Sequence, residues 1–266
     1  MTQISASVPT TRIEEFADGL RVRISEQGSG RPVLILHGGG GPASVAGFAT
    51  ASAEQAHVIT PIHPGFAGEP RPDWFNSIDD LALAYLDLLE RYDLRDVMLV
   101  GFSMGGWVAA ELAVRDRSRL SSLVLVDAVG IQVDDHEIAD VFPLTPDELS
   151  ALSYHNPAAF RVDPTTITPD QMAARAANFK ALEIYGRTAG MCDPKLRHRL
   201  GRVKIPALVA WGESDGVVDA EYGRAYAQAL PNARFSLIPE AGHVPQIEQP
   251  SRLLALVQEF ADSLTL

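Results

Sequence analysis

Gly101-Phe102-Ser103-Met104-Gly105-Gly106 follows directly on the apolar run Val97-Met98-Leu99-Val100, and the residues after it, Trp107-Val108-Ala109-Ala110-Glu111-Leu112-Ala113-Val114, have helical composition. A serine at a sharp strand-to-helix turn is set up as a nucleophile. The flanking glycines are needed because a side chain there would collide with the strand or the entering helix. A serine hydroxyl attacks poorly until a base takes its proton and an acid orients that base, so a His and an Asp or Glu are required downstream. Pro206-Ala207-Leu208-Val209-Ala210-Trp211 reads as a buried strand running into Gly212-Glu213-Ser214-Asp215-Gly216, which puts Asp215 on the loop at its C-terminal end. Phe235-Ser236-Leu237-Ile238-Pro239 reads as another strand, and Glu240-Ala241-Gly242-His243-Val244-Pro245 puts His243 on the following loop. Ser103, Asp215 and His243 are therefore the candidate catalytic residues.

Each has competitors. Asp219 suits the cap of a helix over 220–230, and Asp127 ends the apolar run Leu123-Val124-Leu125-Val126, where it is the other candidate acid. His37 sits in a Gly-rich segment as a loop-bracing residue, and His57 and His63 flank a strand where structural or surface roles fit. Asp134-Asp135-His136-Glu137 reads as a solvated loop, since four adjacent residues cannot all face one ion. No metal and no cofactor is expected.

The elements that must position these groups alternate along the chain. Residues 20–24 alternate in polarity as an outer antiparallel strand does, and buried strands follow at 33–36 and 58–62. Ser77 caps a helix carrying Leu81, Tyr85, Leu86 and Leu89, then come the strand to Ser103, its helix, and a strand at 123–126. Strands alternating with helices predict an α/β fold: a mostly parallel, doubly wound sheet with reactive groups at the strands' C-terminal ends. Between 129 and 203 no strand pattern occurs. Thr145-Pro146-Asp147-Glu148 and Thr168-Pro169-Asp170-Gln171 each combine a Thr cap, Pro at the first helical position and an acid or amide three residues on, so this stretch is helical. The expected division is 1–128 with 204–266 as core and 129–203 as a helical insertion.

With His37-Gly38-Gly39-Gly40-Gly41-Pro42, Pro64-Gly65-Phe66, the Ser103 turn, Gly212-Glu213-Ser214-Asp215 and Gly242-His243 together, the chain resembles the α/β-hydrolase fold superfamily over essentially its whole length. The resemblance makes the insertion a cap over the triad, and it implies an oxyanion hole built from the amides of Met104 and Gly39, with Gly40 the second choice. It also implies substrate contacts at Gly40, Phe102, Phe142 and Val244. Tyr154, Phe160, Phe179, Tyr185 and Met191 join Phe142 as candidate cap residues lining a substrate cavity. The expected substrate is a small acyl compound, a carboxylic ester or lactone. The motifs are also similar to those of hydrolases that cleave carbon–carbon bonds in aromatic ring-fission products, although Phe102 stands where many of those have Asn and Val244 where many have Trp. Gly242-His243-Val244-Pro245 and Glu248-Gln249-Pro250 are similar to esterases and lactonases, which ranks the ester reading first. The serine argues against haloalkane dehalogenases and epoxide hydrolases, which have Asp there. A ligand-binding protein without turnover is the alternative of another class.

Composition sets the remaining bounds. The 266 residues suffice for one domain with an insertion, and the formal net charge of −12 argues against a nucleic-acid surface. The basic stretch from Lys195 to Lys204 keeps Leu196, Leu200 and Val203 at helical spacing and reads as a short helix with an exposed charged face. A lone cysteine, Cys192, fits a reducing, cytoplasmic setting. Residues 1–9 show no secretory signal, and no run approaches the ~20 apolar residues of a membrane span. A homodimer is left open beside the monomer.

Overall fold

The computed structural model describes residues 9–264, so residues 1–8, which carry most of the stretch searched for a secretory signal, lie outside the described residues. Eight strands are present among the described residues: β1 (Thr10–Glu15), β2 (Arg21–Gln27), β3 (Pro32–Leu36), β4 (His57–Pro61), β5 (Val97–Phe102), β6 (Leu120–Val126), β7 (Ala207–Gly212) and β8 (Ala233–Ile238). They form one sheet in the order β1-β2-β4-β3-β5-β6-β7-β8. The pairs β1–β2 and β2–β4 are antiparallel, and every other pair is parallel. The helices are α1 (Ala46–Ser52), α2 (Ile78–Arg91), α3 (Met104–Arg115), α4 (Pro146–Ser153), α5 (Pro169–Gly186), α6 (Leu196–Arg199), α7 (Ala220–Ala229), α8 (Pro245–Glu248) and α9 (Pro250–Ser263).

The central strands are continuous apolar runs because both faces are covered. Leu34, Leu36, Leu99, Leu123, Leu125 and Val209 pack into one core layer with residues of α2, α3 and α7, among them Leu81, Leu112 and Tyr222. Val33, Ile35, Met98, Val100, Val124 and Leu208 point the other way, against Phe48 and Ala49 of α1 and Leu253, Val257 and Phe260 of α9. The period-2 alternation of the strands thus divides one sheet between two layers. Each fully buried Leu, Ile or Val in these layers contributes about 1.5–3 kcal/mol. Starting at the end of β5 and packed against β5, β6 and α2, α3 is buried at every residue but Arg115, which accounts for its nearly unbroken apolar composition.

Between β6 and β7 the described residues form α4, α5, α6 and short 3₁₀ turns, with one isolated parallel bridge from Gly130 to Cys192. Both Thr-Pro starts form full capping boxes: Thr145 with Glu148 at α4, and Thr168 with Gln171 at α5. Ser77 and Asp80 make the same arrangement at α2. Leu196, Leu200 and Val203 are buried while the basic residues between them face outward. Among the described residues, no helix is long and apolar enough to cross a membrane.

Candidate active site

Ser103 joins β5 to α3 with φ 50° and ψ −117°, a conformation that L-residues avoid and that persists only where the surroundings over-determine it. Here they do. Its N–H donates to the Val126 carbonyl at 2.9 Å, and its own carbonyl accepts from the N–H groups of Gly106, Trp107 and Val129. A Cβ at position 105 would lie 2.2 Å from the Leu36 carbonyl oxygen, and one at 101 would lie 2.4 Å from that of Gly105. Glycine is therefore obligatory on both sides of the turn, and the serine side chain is lifted clear of it.

The Ser103 hydroxyl donates to His243 Nε2 at 2.8 Å, and His243 Nδ1–H donates to Asp215 Oδ2 at 2.8 Å. Asp215 is buried, and its Oδ1 accepts the N–H groups of Val217 at 2.8 Å and Val218 at 3.1 Å, which fixes the carboxylate's orientation. Its loop and that of His243 are tied together by the Ser214 N–H on the Ala241 carbonyl. The last turn of α4 holds both: the Ser153 carbonyl accepts the His243 N–H at 2.8 Å, and the Leu152 carbonyl accepts the Gly216 N–H at 2.9 Å. Glu248 closes the arrangement by accepting the N–H groups of Gly242, His155 and Asn156. Of the two candidate acids, Asp215 is the one bonded to the histidine. Asp127 lies buried beside it with one oxygen on the Gly212 N–H, and burial, followed by the Asp215 charge, pushes its carboxyl well above the usual range. Asp219 caps α7 and pairs with His136.

The loop 37–41 abuts the serine, since a Cβ on Gly38 would lie 2.9 Å from Ser103 Cβ. A buried histidine pair holds this loop. Tyr85 donates to His63 Nδ1, His63 Nε2–H donates to the His37 carbonyl, the His63 N–H donates to His37 Nε2, and His37 Nδ1–H donates to the Gly38 carbonyl. Burial brings His37 down to about 4 and His63 well below the ordinary histidine value, so both are neutral and each ring nitrogen has one fixed role. Met104, the first residue of α3, has no intrahelical acceptor for its N–H, and among the described residues the Gly39 N–H has no acceptor either. Two free amides thus flank the serine. From α5, Asn178 reaches the same loop, its Nδ2 donating to the Gly40 carbonyl at 3.0 Å while its Oδ1 accepts the Ala67 N–H at 2.7 Å. The Leu182 side chain packs directly on Gly39.

Other expected residues are placed differently. Phe102 does not reach the site: β5 alternation turns its ring into the layer against Phe48, edge to face at 5.3 Å. Tyr185 and Met191 are buried packing residues, Tyr185 stacking on Phe66 and donating to the Pro64 carbonyl, and Met191 lying against Gly186. Phe142 is half-buried against Phe179 and beneath the Arg187 guanidinium, all three in the inserted segment. Tyr154 stacks on Phe160. Val244 is half-buried at the start of α8, and Gly40 is the partner of Asn178. Asn178 and Glu248 were not anticipated as bracing residues. The one available signal for Asn178 is its spacing from Ala181 and Tyr185, which marks the inward face of α5.

A strained serine, a histidine hydrogen-bonded to it, a buried acid behind the histidine and two unused amides can perform acyl transfer. Asp127, Asp215 and His243 are also close enough for a shared ion, but Asp215 and the His243 Nδ1 are already committed to each other and to the 217–218 amides.

A family model described as "Alpha/beta hydrolase family" matches residues 33–256. A 2-hydroxymuconate semialdehyde hydrolase of Pseudomonas putida is 28% identical, the match covering 94% of this chain and 95% of that one. A meta-cleavage product hydrolase structure from Pseudomonas fluorescens IP01 superposes with TM-score 0.72 at 21% identity, covering 92% of this chain and 95% of that one. An esterase from Exiguobacterium antarcticum superposes with TM-score 0.77 at 18% identity, covering 95% and 100%. The two structures share the fold.

Proposed function

The chain belongs to the α/β-hydrolase family, and from that premise we propose that it is a serine hydrolase that cleaves a small-molecule carboxylic ester or lactone through an acyl-enzyme on Ser103. The observation that carries the reading is the unbroken hydrogen-bond chain from Ser103 through His243 to Asp215, anchored at a strained serine. His243 Nε2 takes the hydroxyl proton as Ser103 Oγ attacks the acyl carbon, and the amides of Gly39 and Met104 receive the charge that develops on the carbonyl oxygen. Asp215 fixes the Nδ1–H tautomer and stabilises the imidazolium. Collapse expels the alcohol, which leaves with the proton from His243. Water, deprotonated in turn by His243, attacks the acyl-serine and releases the acid. The single cysteine fits a cytoplasmic setting for this chemistry.

Carbon–carbon bond hydrolysis is the second reading, favoured by the 28% identity to a 2-hydroxymuconate semialdehyde hydrolase. The ester reading stays first on the likeness of Gly242-His243-Val244-Pro245 and Glu248-Gln249-Pro250 to esterases and lactonases. The test is a paired assay of wild type and Ser103→Ala on short- and medium-chain p-nitrophenyl esters and on 2-hydroxymuconate semialdehyde. Ester hydrolysis that falls by about 10⁴-fold or more in Ser103→Ala is the expected result. Loss of the semialdehyde far faster than ester release would select the second reading. Turnover of neither by wild type would favour a ligand-binding protein.

A further inference from the structure

Asp127 is a buried ionisable group beside the triad that the proposed reaction leaves unused. It directly follows β6, has a positive φ of 45° and is 1% exposed. Oδ1 accepts the Gly212 N–H at 2.7 Å, whereas Oδ2 is buried with no donor among the described residues. A buried carboxylate oxygen without a donor is expensive, whereas a protonated one becomes a donor itself and needs only an acceptor. Asp215 is that acceptor: one oxygen of each carboxyl and a ring nitrogen of His243 all lie within 4.8 Å of one another. Two negative charges so close in a dry setting cannot both be held, and such pairs share one proton. The surroundings decide which partner keeps it. Asp215 has three donors, from Val217, Val218 and His243, against one for Asp127. The groups facing Asp127 are Asp215 from the loop after β7, His243 from the loop after β8 and Glu248 from α8, and the two acids add negative charge.

Resting on the reading of Ser103, His243 and Asp215 as a triad, we propose that Asp127 is a positioning residue, held as the neutral acid that donates its proton toward Asp215 and able to take over the negative charge facing His243 when Asp215 is lost. The acid of the site is then a two-carboxyl unit carrying one charge. Burial, which pushes the Asp127 carboxyl up, acts in the same direction.

Infrared difference spectroscopy of wild type against Asp127→Asn at pH 7 reads the proton without any activity measurement. The expected result is a protonated-carboxyl carbonyl band present in wild type and absent from the variant, and a difference spectrum without such a band overturns the proposal. The kinetic arm compares p-nitrophenyl ester hydrolysis by wild type, Asp127→Asn, Asp215→Asn and the double variant. Asp127→Asn lowers kcat less than tenfold, because the amide keeps an acceptor for Gly212 and a donor for Asp215. Asp215→Asn loses about 10²-fold, short of the ~10⁴ typical when a triad acid becomes an amide, and adding Asp127→Asn removes about 10²-fold more. An Asp215→Asn loss of equal size with Asp or Asn at 127 overturns the reserve role. The Asp215→Asn rate decides even where Asp127→Asn does not fold, since a full loss of ~10⁴ leaves nothing for Asp127 to supply. Failure of the serine-hydrolase reading itself shows differently, as ester release that survives Ser103→Ala while the infrared band is unchanged.

Discussion

Ser103, His243 and Asp215 each owe their state to a few neighbouring backbone groups, and the same holds for the histidines under the loop 37–41. His37 and His63 are fully buried and hydrogen-bonded as neutral rings, with no carboxylate to stabilise their charged forms. His37 titrates at about 4 in the folded chain against an ordinary value of 6.5. The unfolded chain therefore binds the proton first as pH falls, so this contribution is complete above about 6.5 and is lost toward about 4. Between pH 7.5 and 5 the His37 shift removes about 2 kcal/mol of unfolding free energy, and His63, shifted in the same direction, adds to the loss. Urea unfolding across that range checks this. A stability that is flat or rises on acidification would mean that the pair takes up protons within the fold.

The loops that carry Gly40, Asp215 and His243 do not stand on the sheet alone, because α4 and α5 are bonded to them. Asn178 of α5 satisfies the Gly40 carbonyl and the Ala67 N–H at once, while Ser153 and Leu152 at the end of α4 receive the N–H groups of His243 and Gly216. Asn178→Ala orphans two polar groups, each worth about 1–3 kcal/mol when left unsatisfied, and frees the loop that carries Gly39. The expected outcome is destabilisation of about 2 kcal/mol in urea unfolding together with a fall in ester kcat of about tenfold. An unchanged kcat in a folded variant would show that the loop holds its geometry without α5. These braces are also where sequence reasoning stops. Ser103, Asp215 and His243 could be placed because each follows a buried strand whose period is plain, and both capping boxes could be placed because their chemistry is local. Strand β1 could not, since Thr10–Glu15 is a polar, exposed edge strand held by pairing with β2 rather than by an apolar face. Asn178, Glu248 and the Tyr85–His63–His37 chain bond across long stretches of sequence, and no local pattern announces such partners. Phe102 and Tyr185 were misplaced because an aromatic residue's type does not say which face of its strand or helix it occupies.

The parallel part of the sheet gathers the ends of β3, β5, β6, β7 and β8 along one edge, and Gly39, Ser103, Asp127, Asp215 and His243 all follow closely on those ends. The insertion after β6 is bonded to the loops of that edge through Asn178 and the last turn of α4. With a net charge of −12, the molecule repels anions at long range, in keeping with a neutral acyl substrate. The measurement that bears most directly on this reading is stoichiometric labelling with a small alkyl fluorophosphonate, followed by intact-mass and peptide analysis. One phosphonyl group per chain on the peptide containing Ser103, absent from Ser103→Ala and strongly slowed in His243→Ala, is the predicted result. Labelling at another residue, or none under conditions where a serine esterase control reacts fully, would contradict a nucleophilic Ser103.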